Sequence, residues 1–125
     1  LNHTFDNDRP IFIQIRDRIE DQIVNNQLLE EEQAPSTNQL VNFYNINHVT
    51  AAKGINQLVD EGILYKKRGI GTFVNKGAKS NLINKRKRAF VDDYITPMVQ
   101  EANHLEFTEA ELIDLIKHTQ RSDAK

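Results

Sequence analysis

The residues best equipped for chemistry lie between 62 and 74, in the stretch GILYKKRGIGTFV. Three cations, Lys66, Lys67 and Arg68, abut the pair Gly69 and Gly71. Glycines beside cations can cradle phosphate, but a P-loop ends in Gly-Lys-Ser/Thr and leads into a helix, and a dinucleotide fingerprint needs a third glycine where Val74 stands. Here β-prone residues follow instead, so the pattern describes the tip of a β-hairpin. Such a tip can lie along phosphates or enter a minor groove. Other chemistry has thin support. His3, His48, His104 and His118 fall in unrelated segments, and there is no H-E-x-x-H. A metal held between His104 and His118 is disfavoured. Asp92 and Asp93 are adjacent, so on a helix they point about 100° apart and do not pair for acid/base work. Glu30-Glu31-Glu32 reads as a solvated loop rather than a cation site. The chain is therefore not expected to be an enzyme, and no cofactor or metal is expected.

Composition narrows the class further. The 125 residues include no cysteine, which excludes disulfides and thiolate sites and fits a reducing, cytoplasmic setting. No apolar run approaches the ~20 residues of a membrane span, and the first ten residues lack a signal-peptide pattern. The net charge of −2 conceals three blocks: −5 over residues 6–32, +8 over 47–88, and −5 over 92–125. A basic middle between acidic ends lets one face meet a polyanion while the remainder stays soluble.

The elements that would position these cations can be read from periodicity. Pro10 opens a helix whose apolar stripe is Phe12, Ile15, Ile19 and Ile23, ended near Asn25-Asn26. A connection with a short strand near Leu28-Leu29 follows. Ser36 and Gln39 form a capping box for a second short helix. Asn45 breaks that helix and Asn47 caps a third, which runs to Glu61 with Gly62 in the left-handed position beyond it.

On the third helix Ala51, Ala52, Ile55, Leu58 and Val59 make the inner face. Thr50, Lys53 and Gln57 point outward, with Val49, Gly54 and Asp60 at the edges. Gly54 costs about 1 kcal/mol of helix propensity, which implies close approach of another helix or a ligand. Strands over 63–66 and 72–74 flank the basic turn. Three helices and then a hairpin give the order of a winged helix-turn-helix. In that arrangement the start of the third helix enters the major groove. The methyl groups of Val49 and Thr50 suit thymine, Lys53 suits guanine or phosphate, and His48 suits phosphate or base. Ser36 and Thr37, at a helix start, suit a phosphate oxygen.

Residues 76–80 are small and polar and read as a linker. Helical spacing resumes over 82–104, interrupted by Pro97, and Thr108 with Glu111 forms a second capping box before a last helix. The apolar residues Phe90, Tyr94, Met98, Leu112 and Ile116 of this tail cannot enclose a core alone, so pairing with a second copy is expected. The resulting fold class is mainly α with a small β-hairpin wing. Residues 1–75 form the winged helix-turn-helix domain and 76–125 a helical dimerisation tail.

The run from Pro10 to Val74 resembles the N-terminal domain of the GntR family of bacterial transcription regulators. Pro35-Ser36, the helix end Leu58-Val59-Asp60-Glu61-Gly62-Ile63-Leu64, and Arg68-Gly69-Ile70-Gly71-Thr72-Phe73-Val74 carry the resemblance. The short tail is similar to the YtrA-like branch. That resemblance implies a homodimeric repressor on an inverted-repeat operator in double-stranded DNA, often near transporter genes, with an unidentified small-molecule effector. Carried over by position, the expected DNA contacts are Ser36, Thr37, Asn38, Asn47, His48, Val49, Thr50, Lys53, Lys67, Arg68, Gly69 and Gly71. Asn38, His48 and Ala52 stand where many members carry arginine, so base readout leans on Lys53, Thr50, His48 and the wing. The competing reading is a winged helix that uses its basic patch on an acidic protein partner.

Overall fold

The computed structural model describes residues 5–123. They divide into two compact units, the first running through Asn84 and the second starting at Lys85.

In the first unit α1 (Ile11–Val24) starts at Pro10, whose carbonyl accepts from the N–H groups of Ile13 and Gln14. Its Ile15, Ile19 and Ile23 are all buried. Gln14 is also buried, a polar residue that periodicity does not reveal. Its carboxamide donates to the carbonyls of Asp6 and Arg9 and accepts from the Asp6 N–H, which fastens the preceding segment to the helix. Three bonds satisfy the amide, as burial of a polar group demands.

α2 (Thr37–Tyr44) and α3 (His48–Asp60) begin at the expected caps. Ser36 Oγ accepts from the Gln39 N–H at 3.0 Å, and Gln39 returns the bond to the Ser36 N–H at 2.9 Å. Asn47 Oδ1 accepts from the Thr50 N–H at 2.8 Å. Asn45 holds φ +55° between the two helices, a left-handed state that asparagine tolerates.

The hairpin pairs β1 (Leu64–Lys67) with β2 (Gly71–Val74), Leu64 opposite Val74 and Lys67 opposite Gly71. The first strand starts one residue later than its composition predicts. Ile63 instead packs into the core, and its carbonyl accepts from the Asn75 N–H. The expected strand at Leu28-Leu29 does not form. Residues 31–34 run along β2 in its place. The Glu31 N–H donates to Val74 O, the Val74 N–H to Glu32 O, and the Ala34 N–H to Thr72 O, with a bridge between Gln33 and Phe73.

The reading of 76–80 as a linker is also corrected. α4 (Ala78–Phe90) begins at Ala78, and Ala78 and Leu82 join the core with Ile15, Ile55, Leu58, Leu64 and Val74. Small, polar composition hid the burial of Ala78, one turn before Leu82. The acidic run beside this helix is an exposed loop, as expected, and its carboxylates also bond within the fold. Glu30 accepts from the Lys79 N–H in the first turn of α4, Glu31 from the Tyr65 hydroxyl, and Glu32 from the Leu29 N–H. A carboxylate at a helix N-terminus satisfies a free donor and complements the helix dipole.

In the second unit the helix does not simply kink at Pro97. A π turn occupies residues 91–95, closed by the Thr96 N–H donating to Val91 O, and α5 (Thr96–His104) follows. Proline offers no N–H to Asp93 O and crowds it; the wider turn precedes the ring. α6 (Glu109–Asp123) starts from the second capping box, with Thr108 and Glu111 bonded reciprocally at 2.9 and 3.1 Å. The Thr108 backbone N–H first, and the Thr108 side chain second, hold the Glu111 carboxyl below its ordinary range. Among the described residues of this unit only Ala102 is buried.

Candidate nucleic-acid interface

The geometry of α3 follows from its two faces. Ala51, Ile55 and Leu58 are buried, while His48, Val49, Lys53, Asn56 and Asp60 are exposed. Val49, at 78% exposure, places an isopropyl group in solvent at the first turn. Thr50 is half-buried, its N–H taken by the Asn47 cap. Lys53 extends over the Phe12 ring of α1, Nζ 4.1 Å from the centroid. Such a contact orients a long side chain and is worth about 0.5–1 kcal/mol at an exposed position.

Two outward assignments on this helix change. Gly54 is buried, and a Cβ there would lie 3.0 Å from Phe12 O and 3.4 Å from Ile15 Cγ2. The glycine serves the approach of α1, not a ligand. Gln57 accepts from Arg16 Nη1 at 3.2 Å, and the same nitrogen bonds Glu61, so Gln57 is tied to α1.

The wing is anchored to this helix. Lys66 Nζ donates to Asn56 Oδ1 at 2.9 Å, joining β1 to the exposed stripe of α3. That bond puts the hairpin beside the outward face. Lys67 lies over the Phe73 ring, 4.5 Å from its centroid. Arg68, Gly69 and Ile70 form the tip, all exposed, with Ile70 at 64%. Gly69 has φ +77° and lets the three-residue turn close through the Ile70 N–H to Lys67 O bond. Under the hairpin the Tyr65 hydroxyl donates to Glu31 at 2.7 Å; that bond first, then desolvation and the carboxylate's charge, raises the phenol above its ordinary value.

Of the expected contact residues, His48, Val49, Lys53 and Asn47 are exposed at the start of α3, and Lys67, Arg68 and Gly69 at the wing. Ser36 and Asn38 are exposed at the start of α2, where Thr37 is half-buried; Gly71 is half-buried under the wing. Four residues that prop or flank this surface escaped the sequence reading: Phe12 under Lys53, Asn56 behind Lys66, Ile70 at the tip, and Gln33, whose Nε2 donates to Ile70 O at 3.2 Å. Ile70 was legible as an apolar residue in a turn. The other three act through contacts distant in the chain, which no local pattern marks. Among the described residues no group of three or more His, Cys, Asp or Glu could hold a metal ion.

In the tail the rings of Phe90 and Tyr94 meet at a tilt of 38°, centroids 5.4 Å apart, and both are exposed, as is Ile116; Met98 and Leu112 are half-buried.

Known proteins share this arrangement. The profile of the bacterial regulatory proteins of the gntR family matches residues 13–74. A crystal structure of a GntR-family transcriptional regulator from Bacteroides thetaiotaomicron is 31% identical, with TM-score 0.74, over 90% of this chain and 98% of that one. The transcriptional repressor NagR of Bacillus subtilis is 36% identical over 67 residues, 54% of this chain. The chain spans only 28% of NagR's length. The AraR DNA-binding domain, solved in complex with an operator, is 29% identical with TM-score 0.53, over 57% of this chain and 92% of that one. A profile match across the helix-turn-helix and wing, joined to a 31% identical relative matched almost end to end, places the chain in the GntR family of bacterial regulatory proteins.

Proposed function

We propose that this chain is a transcriptional regulator that binds duplex DNA through α3 and the wing, and that it does so as a homodimeric repressor of the YtrA-like branch. The observation that carries the reading is the Lys66–Asn56 bond. It sets a cationic hairpin against the exposed stripe of the helix whose first turn presents His48, Val49 and Lys53. A helix in the major groove with Arg68 and Lys67 on the adjoining phosphates accounts for both features. Likeness to the operator-bound AraR domain and to the repressor NagR supports the same reading.

The contact set is Ser36, Thr37, Asn38, Asn47, His48, Val49, Thr50, Lys53, Lys67, Arg68, Gly69 and Gly71. Base discrimination rests on Lys53, Thr50 and His48. Residues 76–125 supply dimerisation, with Phe90, Tyr94, Met98, Leu112 and Ile116 as its apolar contacts. Support comes from the second unit's exposed apolar side chains: Tyr94 is 65% exposed, and Phe90, Val91, Leu105 and Leu115 stand in solvent with it. A two-fold dimer would read an inverted repeat. Among the described residues no helix is long and apolar enough to cross a membrane, in keeping with a cytoplasmic protein.

Selection of bound genomic fragments by the purified protein, read by sequencing, tests this. An inverted repeat is expected, and its neighbouring genes, transporters among them, would indicate the effector. Fragments without a common sequence would overturn the operator reading and favour an acidic protein partner for the basic patch.

A further inference from the structure

Resting on the DNA-binding reading above, we infer that Gln33 is a positioning residue that fixes the wing tip for its phosphate contact. Gln33 belongs to the connection before α2, far from the tip in sequence, yet its Nε2 donates to Ile70 O at 3.2 Å. Its carboxamide fills the space beside Gly71 where any other residue would carry a Cβ; an alanine there would collide with Gln33 Nε2. Gly71 also has φ +149°, a backbone state that favours glycine, and a Cβ there would displace the Gln33 amide from its place beside the tip.

The backbone on either side of Gln33 is fixed independently. Glu31 and Ala34 donate to Val74 and Thr72, and Gln33 itself bridges Phe73. Two residues further on, the Pro35-Ser36 step opens α2. Gln33 thus ties the tip, which presents Arg68, to the same strand-like segment that sets the α2 N-terminus. A two-strand hairpin alone is only marginally ordered in water. With the tip carbonyl held, Arg68 meets a phosphate from a turn already ordered, so less conformational entropy is lost on binding.

The substitution Gln33→Met keeps the length of the side chain and removes the donor. In the free protein, faster amide exchange at Ile70 and Gly71 and lower order parameters there are expected, with the urea midpoint little changed. Binding to a short mixed-sequence duplex at low salt should weaken about 5-fold, the worth of one neutral hydrogen bond. The slope of log K against log salt should shrink by up to about one, the share of a single phosphate contact. In an Arg68→Ala background the same substitution should add no further loss, because Gln33 acts through the tip.

Unchanged exchange at the tip in Gln33→Met would overturn the inference whatever the DNA result. An equal loss in both backgrounds would also overturn it, making Gln33 a direct DNA contact. If the tip loosens but neither Gln33→Met nor Arg68→Ala alters binding, the wing is not at the DNA. The proposed wing contact then fails, and the functional part of this inference fails with it.

Discussion

Gly54→Ala puts the packing of α3 on α1 to a direct test. The substitution has two opposed effects. Alanine in a helix interior gains about 1 kcal/mol over glycine. The added methyl, however, would sit 3.0 Å from Phe12 O, 3.4 Å from Ile15 Cγ2 and 3.6 Å from Ile15 Cβ. Carbon-to-carbonyl-oxygen contacts settle at about 3.3–3.6 Å, so this one is a few tenths of an ångström too short. The obstacle is helix backbone, which cannot rotate away like a side-chain tip; α1 as a whole must move. Overpacking of this kind costs about 1–3 kcal/mol. The net expectation is a loss of about 1 kcal/mol, equivalent to a fall in Tm of roughly 4 °C for a chain of this size. Urea unfolding followed by circular dichroism measures it. The displacement should also disturb Lys53, whose ammonium rests on the Phe12 ring. A midpoint raised by the full propensity gain would refute the reasoning, because it would mean that α1 and α3 have room for the methyl.

Three further expectations follow from the same contacts. Lys53→Ala should weaken binding to a selected operator by about 1–3 kcal/mol at one base position if the lysine reads a base; equal loss on every sequence would make it a phosphate contact. Truncation after Asn84 should leave a folded monomer by sedimentation, whereas truncation after Asn75 removes Leu82, 1% exposed, and should cost about 2–5 kcal/mol in urea unfolding. Glu111, its folded pKa lowered by Thr108, stabilises the α6 start above the ordinary value of 4.5 and loses that contribution as pH falls through the folded value. The Thr108 and Glu111 amide shifts should therefore titrate with a midpoint below 4.5, and Glu111→Gln should abolish the titration while keeping the capping box.

Much of the secondary structure was legible because its signals are local. A capping box needs four consecutive residues, so Ser36 to Gln39 announced the α2 start, and Thr108 to Glu111 that of α6. Helical periodicity announced the stripe Ile15, Ile19 and Ile23, and the glycines beside Lys67 and Arg68 announced a hairpin. Gly54 was half legible: its cost implied close approach, and only packing chose between a helix and a ligand.

What local pattern cannot carry is a partner chosen across the chain. The acids Glu30 and Glu31 are solvated as their sequence suggests, and each is also matched to a distant donor, on Lys79 and Tyr65. Ala78 lies in a stretch too small and polar to suggest burial, and the closing of α4 on the core decided it. Phe12 gains its place under Lys53, and Gln33 its place across Gly71, from the meeting of segments 41 and 38 residues apart. By itself the sequence determined where helices start, which faces are apolar and where the cations cluster, because neighbouring residues fix backbone propensity and side-chain direction. The tertiary structure alone decided which of those cations are propped and by what, because hydrogen bonds and ring contacts depend on distance in space, which chain order does not specify.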